Sequence, residues 1–338
     1  MAQFERQPFV SIVVTICNGG PHFPTCLASL LQLSYPAERM EIHLVDDFST
    51  DGTREYLQQQ TLPDFLNVYY PDENLGRTKA CNLGLSFVKG DVIILLDGDM
   101  EVQPDFIDQH LTELAKPGRE AVVGRIEPAP WVPGTKLNRY LYESPRRGAK
   151  QFGSGRPISF QYLIFSNAAV SRAALEAGGA FEETFTHFGG KDILFAYRIA
   201  RTFPNGIYYN NAAPSLHHQD RDLSMQLSLM SDYGYHNLSQ IMHQHPEIAS
   251  LLAADLAWPF DDPLFRRRRR MGRLIFNSLC HALARMFLVI SPHTLSNVII
   301  RYLIVGSVVQ GLRRYVRQNQ IPSQSPASNP IPNDSTPD

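Results

Sequence analysis

Cysteine is scarce in this chain: the 338 residues hold four, Cys17, Cys26, Cys81 and Cys280. None is spaced as Cys-x-x-Cys, which argues against a disulfide framework or a zinc site and fits a reducing compartment. Net charge is nearly absent too. Lys and Arg total 31 against 33 Asp and Glu, a formal charge of −2, so the chain as a whole is no binder of polyanions. Residues 1–8 are short and polar, and the apolar run after them ends by Cys17. That run reads as a strand, not as a secretory signal. The expected location of the N-terminal part is therefore the cytosol. The dinucleotide and P-loop fingerprints are missing, which makes dehydrogenase and kinase readings poor. No internal repeat is visible.

What is present is an apolar content of 43%, enough for a sizeable core. Residues 9–16 are apolar and β-branched and stop at Asn18-Gly19-Gly20-Pro21, the pattern of a buried parallel strand. Helical patterning is expected over 24–33, 51–60 and 74–88, and strands over 41–45, 66–70 and 91–96. This alternation predicts a parallel sheet with helices on both faces. Further strands are expected at 121–126 and 158–165, with a long Pro-containing insertion between them that would cover a substrate. Residues 191–201 and 222–243 read as helices. From Gln318 the chain is rich in Pro, Ser and Asn, the composition of a disordered tail.

Acidic residues collect where two of these strands end. Asp46-Asp47 closes the second and Asp97-Gly98-Asp99 the fourth, while Asn74-Leu75-Gly76 closely follows the third. In a parallel sheet, ligands bind at the carboxyl ends of the strands. Asp after a strand is also an ordinary turn or cap residue, but two such pairs in this order weigh against that account. Two carboxylates at the mouth of a buried strand repel each other. A hard divalent cation relieves the repulsion and can hold a diphosphate at the same time.

With these segments the chain resembles the family-2 glycosyltransferases of GT-A fold. The resemblance is carried by SIVVTI at 11–16, VDDFSTDGT at 45–53, NLGRTKACNLG at 74–84 and GDVIILLDGD at 90–99. FSNAAVSR at 165–172, GGAFEE at 178–183 and FGGKDILFAYR at 188–198 extend it, so that it covers roughly residues 9–219. It implies a Rossmann-like, mostly parallel central sheet with helices on both faces, plus a C-terminal helical appendage. The domains implied are a catalytic unit over 1–220, a helical basic region over 221–317 and a tail over 318–338.

The resemblance also implies an activity: inverting transfer of a sugar from a nucleotide-diphospho-sugar, with UDP as the nucleotide, to an acceptor hydroxyl. Thr15 and Asp47, with Asp46 as neighbour, would contact base and ribose, and Asn18 and Gly98 would line the same site. Asp97 and Asp99 would bind Mn²⁺ or Mg²⁺ and through it the diphosphate, with His217 of the His217-His218 pair as a further ligand. Asp192 matches the catalytic base. Two departures stand out. Lys191 replaces the family's usual acid before Asp192: it would lower the Asp192 pKa and weaken it as a base, or point away, or meet a negatively charged acceptor, and the pair could also simply open a helix. Cys81 replaces a frequent Arg; Arg77 and Lys79 either supply the missing charge near the phosphates or form a solvated helix face.

Positions 266–270 are five consecutive arginines, and Arg273 follows. Beyond them, 274–290 reads as one amphipathic helix with Asn277, His281 and Arg285 as its polar stripe. Residues 295–312 are more apolar but short, and carry an arginine that is expensive in a membrane span. The expectation is a basic hairpin lying on an anionic membrane, bringing the site to a glycan, lipid-linked or protein acceptor; a packed lid or a dimer contact is the alternative. Nucleic acid is not an expected partner, because no aromatic stacking platforms are interleaved with the arginines. Two other functions stay open: a non-catalytic membrane-associated protein that keeps the fold, and a sugar-phosphate nucleotidyltransferase. The latter usually opens with a basic Gly-rich loop that 18–22 lacks.

Overall fold

The computed structural model describes residues 7–325. Its centre is one eight-stranded sheet in the order β3-β2-β1-β4-β7-β6-β8-β5. The strands are β1 (Val10–Ile16), β2 (Met40–Asp46), β3 (Leu66–Tyr69), β4 (Val92–Asp97), β5 (Met100–Val102), β6 (Ala121–Pro128), β7 (Asn167–Ser171) and β8 (Ile207–His217). The first four pair in parallel, as their apolar runs require. β7 then runs antiparallel between β4 and β6, β8 joins β6 in parallel, and β5 closes the edge antiparallel to β8.

Helices cover both faces. They are α1 (Phe23–Leu31), α2 (Thr53–Gln58), α3 (Arg77–Leu85), α4 (Phe106–Leu114), the single turn α5 (Lys136–Asn138), α6 (Arg172–Gly178) and α7 (Lys191–Thr202). The C-terminal set is α8 (Leu223–Tyr235), α9 (Asn237–Gln244), α10 (Pro263–Ile275), α11 (Ser278–Ile290) and α12 (His293–Gln318). Alternation along β4 divides its side chains between two cores. Val92, Ile94 and Leu96 pack with Phe23, Leu27 and Phe106, while Ile93 and Leu95 pack with Phe165, Phe181 and Phe195. The second core continues without a break into Leu238, Trp258, Val309 and Leu312, so the C-terminal helices share it with the sheet.

Four sequence expectations are corrected. Residues 158–165 form no strand. They make a 3₁₀ turn over Phe160–Tyr162 whose Phe160, Leu163 and Phe165 plug the core, and the strand is the Ala-rich β7 after it. Large aromatics would not fit where β7 lies, buried on both faces between two neighbours. The 222–243 helix breaks at His236, because Asn237 turns to donate to the carbonyls of His187 and Gly189, each at 2.7 Å. The 274–290 helix breaks as well: α10 and α11 meet at a bend of 53°, with Asn277 capping α11 through Cys280 N. Finally, the start of the expected tail is packed. Gln324 donates from its backbone to Pro259 O and accepts from Trp258 Nε1 at 3.1 Å. The rest of that tail lies outside the described residues.

α12 is long and apolar enough to cross a membrane by length and composition. Its Ile300, Leu303, Val309 and Leu312 are nevertheless buried, and it crosses α8 at Gly234 and Gly311. A Cβ on either glycine would run into the carbonyl of Val308 or of Ser231, so the two backbones touch.

Candidate functional site

The parallel register places the expected residues along one edge. Thr15 pairs with Asp97 across β1 and β4, and Ile16 with Asp46 across β1 and β2. Beyond the strand ends lie two adjoining cavities. The smaller, about 360 Å³, is lined by Thr15, Asn18, Asp47, Asn74, Gly98 and His218 among others. The larger, about 730 Å³, lies between the β6–β8 side of the sheet, the insertion over 137–152 and the start of α7. Arg77, Asp97, Asp99 and Gln219 line both, so the acidic triplet stands at their junction.

In the smaller cavity Asp47 is fixed by Leu75 N, which donates to its Oδ1 at 2.7 Å. Burial pushes its pKa up, against that bond and one from Gly76 N. Asn18 sits at φ 56°, and its side-chain oxygen accepts from Thr50 N at 2.8 Å, tying the first strand-end loop to the second. Two expected residues are not brought in. Asp46 is fully buried and accepts from Arg54 Nε at 2.7 Å, because the strand's alternation turns it away from its neighbour Asp47. Lys79 is exposed on α3 and lines neither cavity, one residue past the buried Thr78.

At the junction, His217 Nε2 lies 3.2 Å from Asp99 Oδ2, and its Nδ1 lies 3.0 Å from the Tyr142 hydroxyl. The register of β5 with β8 sets this up, pairing Met100 with His217. Burial would raise the Asp99 pKa, but the His217 hydrogen bond and the charges of His217 and Arg77 outweigh it and hold it below the ordinary value. His218 turns the other way: it meets Glu101 at 2.8 Å and accepts from Trp131 Nε1 at 3.0 Å. Asp97 instead faces Arg77, 3.9 Å away.

Among the described residues no group of three or more acids, histidines or cysteines surrounds a common point. Asp99 Oδ1, however, is buried with no hydrogen-bond partner, beside an imidazole. An oxygen-and-nitrogen pair with a vacant carboxylate oxygen fits a hard or borderline divalent cation, provided substrate oxygens complete the shell.

Asp192 is the first-turn acid of α7 and lies in the wall of the larger cavity. Its Oδ1 is buried without a partner, and Phe165 N approaches Oδ2 at 3.5 Å. Burial raises its pKa, and the opposing pull of Lys191 does not reverse this. Lys191 does pull the Asp192 pKa down, as expected, but desolvation of the enclosed carboxylate exceeds that pull and the net direction is upward. The loop that delivers Asp192 passes through Gly189 and Gly190, both at positive φ, and is pinned by Asn237.

The two departures from the family meet in space. Lys191 is buried with its Nζ 3.1 Å from Cys81 Sγ and 5.2 Å from the centre of the Phe181 ring. Burial would lower the Lys191 pKa, but the Cys81 sulfur, Asp192 and Asp97 outweigh it and raise it. An arginine at position 81 would set two buried cations together, so the lysine at 191 accounts for the small, soft side chain opposite it.

Tyr142, Trp131, Arg147, Lys150 and Arg221 were not singled out from the sequence. They lie in or after an insertion without periodicity, and only long-range packing brings them here. Burial pushes the Tyr142 hydroxyl up to about 12, leaving it a neutral hydrogen-bonding partner for His217.

A family model described as glycosyl transferase family 2 matches residues 11–179. Among curated relatives, glycosyltransferase AglE of Haloferax volcanii is 30% identical over 134 residues, 39% of this chain and 44% of its own. Hyaluronan synthase of Pasteurella multocida is 26% identical over 223 residues, 57% of this chain and 23% of its own. A dolichyl N-acetylglucosaminyl phosphate glucuronosyltransferase of Methanococcus voltae, its donor sugar a diacetamido-dideoxy derivative, is 22% identical over 246 residues, 68% of this chain and 76% of its own. The chain spans less than half the length of the first two. Among solved structures, a mannosyltransferase of Pyrobaculum calidifontis in complex with GDP-Man and Mn²⁺ superposes with a TM-score of 0.59 at 19% identity. That likeness covers 90% of this chain and 87% of that one, and it concerns the fold.

Proposed function

The chain belongs to glycosyl transferase family 2 and has its GT-A fold, and we propose that it moves a sugar from a nucleotide-diphospho-sugar to an acceptor hydroxyl with inversion. One observation carries this: two cavities of different lining join at Asp97 and Asp99, and a buried carboxylate, Asp192, faces the second of them. The nucleotide fits the smaller cavity, its base and ribose against Thr15, Asn18 and Asp47, with UDP the nucleotide that the family resemblance favours. Arg77 faces the diphosphate from the helix end. Asp99 and His217 would hold Mn²⁺ or Mg²⁺, which supplies charge stabilisation for the departing nucleoside diphosphate.

Asp192 takes the proton of the acceptor hydroxyl. The freed oxygen attacks the anomeric carbon as the bond to the diphosphate breaks on the opposite side, so a single displacement inverts the centre. The raised pKa of Asp192 makes it a better proton acceptor than a solvated carboxylate once it is ionised.

The membrane reading is supported by the surface of the C-terminal helices. The polar side of α11 packs inward, with His281 against Gly306 and Arg285 donating to Ser224 Oγ at 2.9 Å. Its Leu279, Met286, Phe287, Val289 and Ile290 are exposed, as are Leu274 of α10 and Leu295 and Val298 of α12. Arg266, Arg267, Arg270 and Arg273 stand exposed on α10, whereas Arg268 is tied to the buried Asp255 at 2.6 Å. Exposed apolar side chains together with exposed arginines suit the inner face of an anionic membrane and a lipid-linked acceptor.

The test is donor binding and slow donor hydrolysis by the full chain across UDP-, GDP- and dTDP-sugars, with and without Mn²⁺ or Mg²⁺. Metal-dependent binding of one donor, lost at least ten-fold in Asp99→Ala, is the expected result. Failure of every donor to bind the folded, metal-supplied chain overturns the reading.

A further inference from the structure

We propose that the larger cavity contains an anion subsite, formed by Arg147 and Lys150 with Arg221 lining the same cavity, that receives a phosphate or carboxylate of the acceptor. The proposal rests on the glycosyltransferase reading above.

All three cations line the larger cavity, and none lines the nucleotide cleft. Among the described residues none of them has an ion-pair partner within 4 Å, in contrast to Arg125 nearby, which meets Glu127 at 3.3 Å. Their hydrogen bonds go to neutral groups. Arg147 donates to Leu141 O at 2.8 Å, Lys150 to Tyr142 O at 2.5 Å and Arg221 to Gln226 Oε1 at 3.4 Å. Aromatic faces support the two guanidinium groups, Tyr140 under Arg147 and Phe188 under Arg221.

Unpaired, partly buried cations that repel one another are unfavourable unless something negative is to lie between them. Arg147 and Lys150 repel each other, and with burial this brings Lys150 down to about 8; Glu143 and Glu127 pull the other way without reaching it. Arg221 is likewise held down by burial and by Arg77, with Asp99 and Asp97 opposing. A polyatomic anion relieves the repulsion between Arg147 and Lys150 and accepts charge-assisted hydrogen bonds from the guanidinium and the ammonium.

The position favours the acceptor over the donor. The electrostatic neighbours of Tyr142 include Arg147 and Arg221 as well as Asp99, and its hydroxyl joins His217 at 3.0 Å. Arg147 and Lys150 therefore share the larger cavity with Asp192 and stay out of the cleft assigned to base and ribose, whereas Arg221 has Arg77, Asp99 and Asp97 among its charged neighbours. The wall that carries Arg147 and Lys150 is also fastened to the apolar end of α11. Lys136, a few residues before it, donates to Leu288 O, Val289 O and Ser291 O at 2.5–3.0 Å.

The experiment titrates the full chain with two matched pairs: citronellyl phosphate against citronellol, and glucuronic acid against glucose. Each is read by calorimetry, with and without saturating UDP and Mn²⁺. At least one anionic probe should bind ten-fold or more tightly than its neutral partner, and about ten-fold more weakly to Arg147→Gln and Lys150→Gln. UDP affinity should be unchanged in those variants. The pair that responds tells a phosphate acceptor from a uronate one. Equal binding of anionic and neutral probes overturns the subsite, as does an equal loss of UDP affinity in the variants, which would return these cations to the donor. Should the variants not fold, the wild-type comparison decides alone. Loss of all nucleotide binding condemns the donor assignment instead, and the nucleotide-free titrations still judge the subsite.

Discussion

At the scale of single residues, Asp192 has the sharpest consequences. Its folded-state pKa lies above its unfolded value, chiefly through burial. Between the two values the folded chain holds a proton that the unfolded chain has released. Stability contributed by this group is therefore present at low pH and lost as pH rises through that window. Where the carboxylate is ionised its burial costs stability, so Asp192→Asn is expected to raise the melting temperature on the alkaline side of that window while lowering turnover by about 10²–10⁴-fold. A melting temperature that falls instead would mean that the ionised form is held by favourable contacts. The same shift is expected to move the acid limb of the pH–rate profile upward from where a solvated carboxylate would put it, read from turnover against pH. Asp192 was legible from its motif, but the direction of its pKa was not. The adjacent Lys191 suggested a lowered value, and only the enclosure by Phe165 and the start of α7 shows that desolvation prevails.

At the scale of elements, the contact between α8 and α12 holds the C-terminal helices against the rest of the chain. Gly234 and Gly311 allow it, since any side chain there would meet the opposing backbone. Gly311→Ala should cost about 1–3 kcal/mol by overpacking, read as a lowered urea midpoint with an unchanged slope. An unaltered midpoint would show that the helices can separate at no cost. Strands β1 to β4 and helices α1, α3 and α7 were readable, because apolar runs, turn residues and helical spacing all agree there. β7 and β8 were not. β7 is five small residues, and β8 carries Asn210, Asn211 and Pro214 in a stretch that pairs with β6 around an irregularity at Gly124. That irregularity is filled by the Asn167 amide, which donates to Ala213 O and Ser215 Oγ. Such a strand is specified by its neighbours and not by its own periodicity.

At the scale of the whole molecule, α10 to α12 expose apolar side chains and α10 also exposes arginines, which the membrane reading takes as one surface. Vesicles containing anionic lipid should sediment the full chain, and added salt should weaken the association. Phe287→Asp combined with Ile290→Asp should abolish it while leaving donor binding intact, because both side chains are exposed and line neither cavity. Sedimentation that is indifferent to these changes would assign these side chains to another partner.

The sequence by itself determined the parallel first half of the sheet, the acidic triplet at the mouth of β4 and the place of Asp192 at the head of a helix. Each follows from short-range pattern: a buried apolar run needs both faces covered, and its end must be a polar turn. Tertiary structure alone decided that Asp46 pairs with Arg54, that Tyr142 meets His217 beside Asp99, and that Cys81 and Lys191 face each other. It also decided that Tyr142, Arg147, Lys150 and Arg221 complete the cavity. These contacts join residues from about 8 to more than 100 positions apart, and no local periodicity encodes them; they exist because the sheet's register and the folded insertion bring those side chains together.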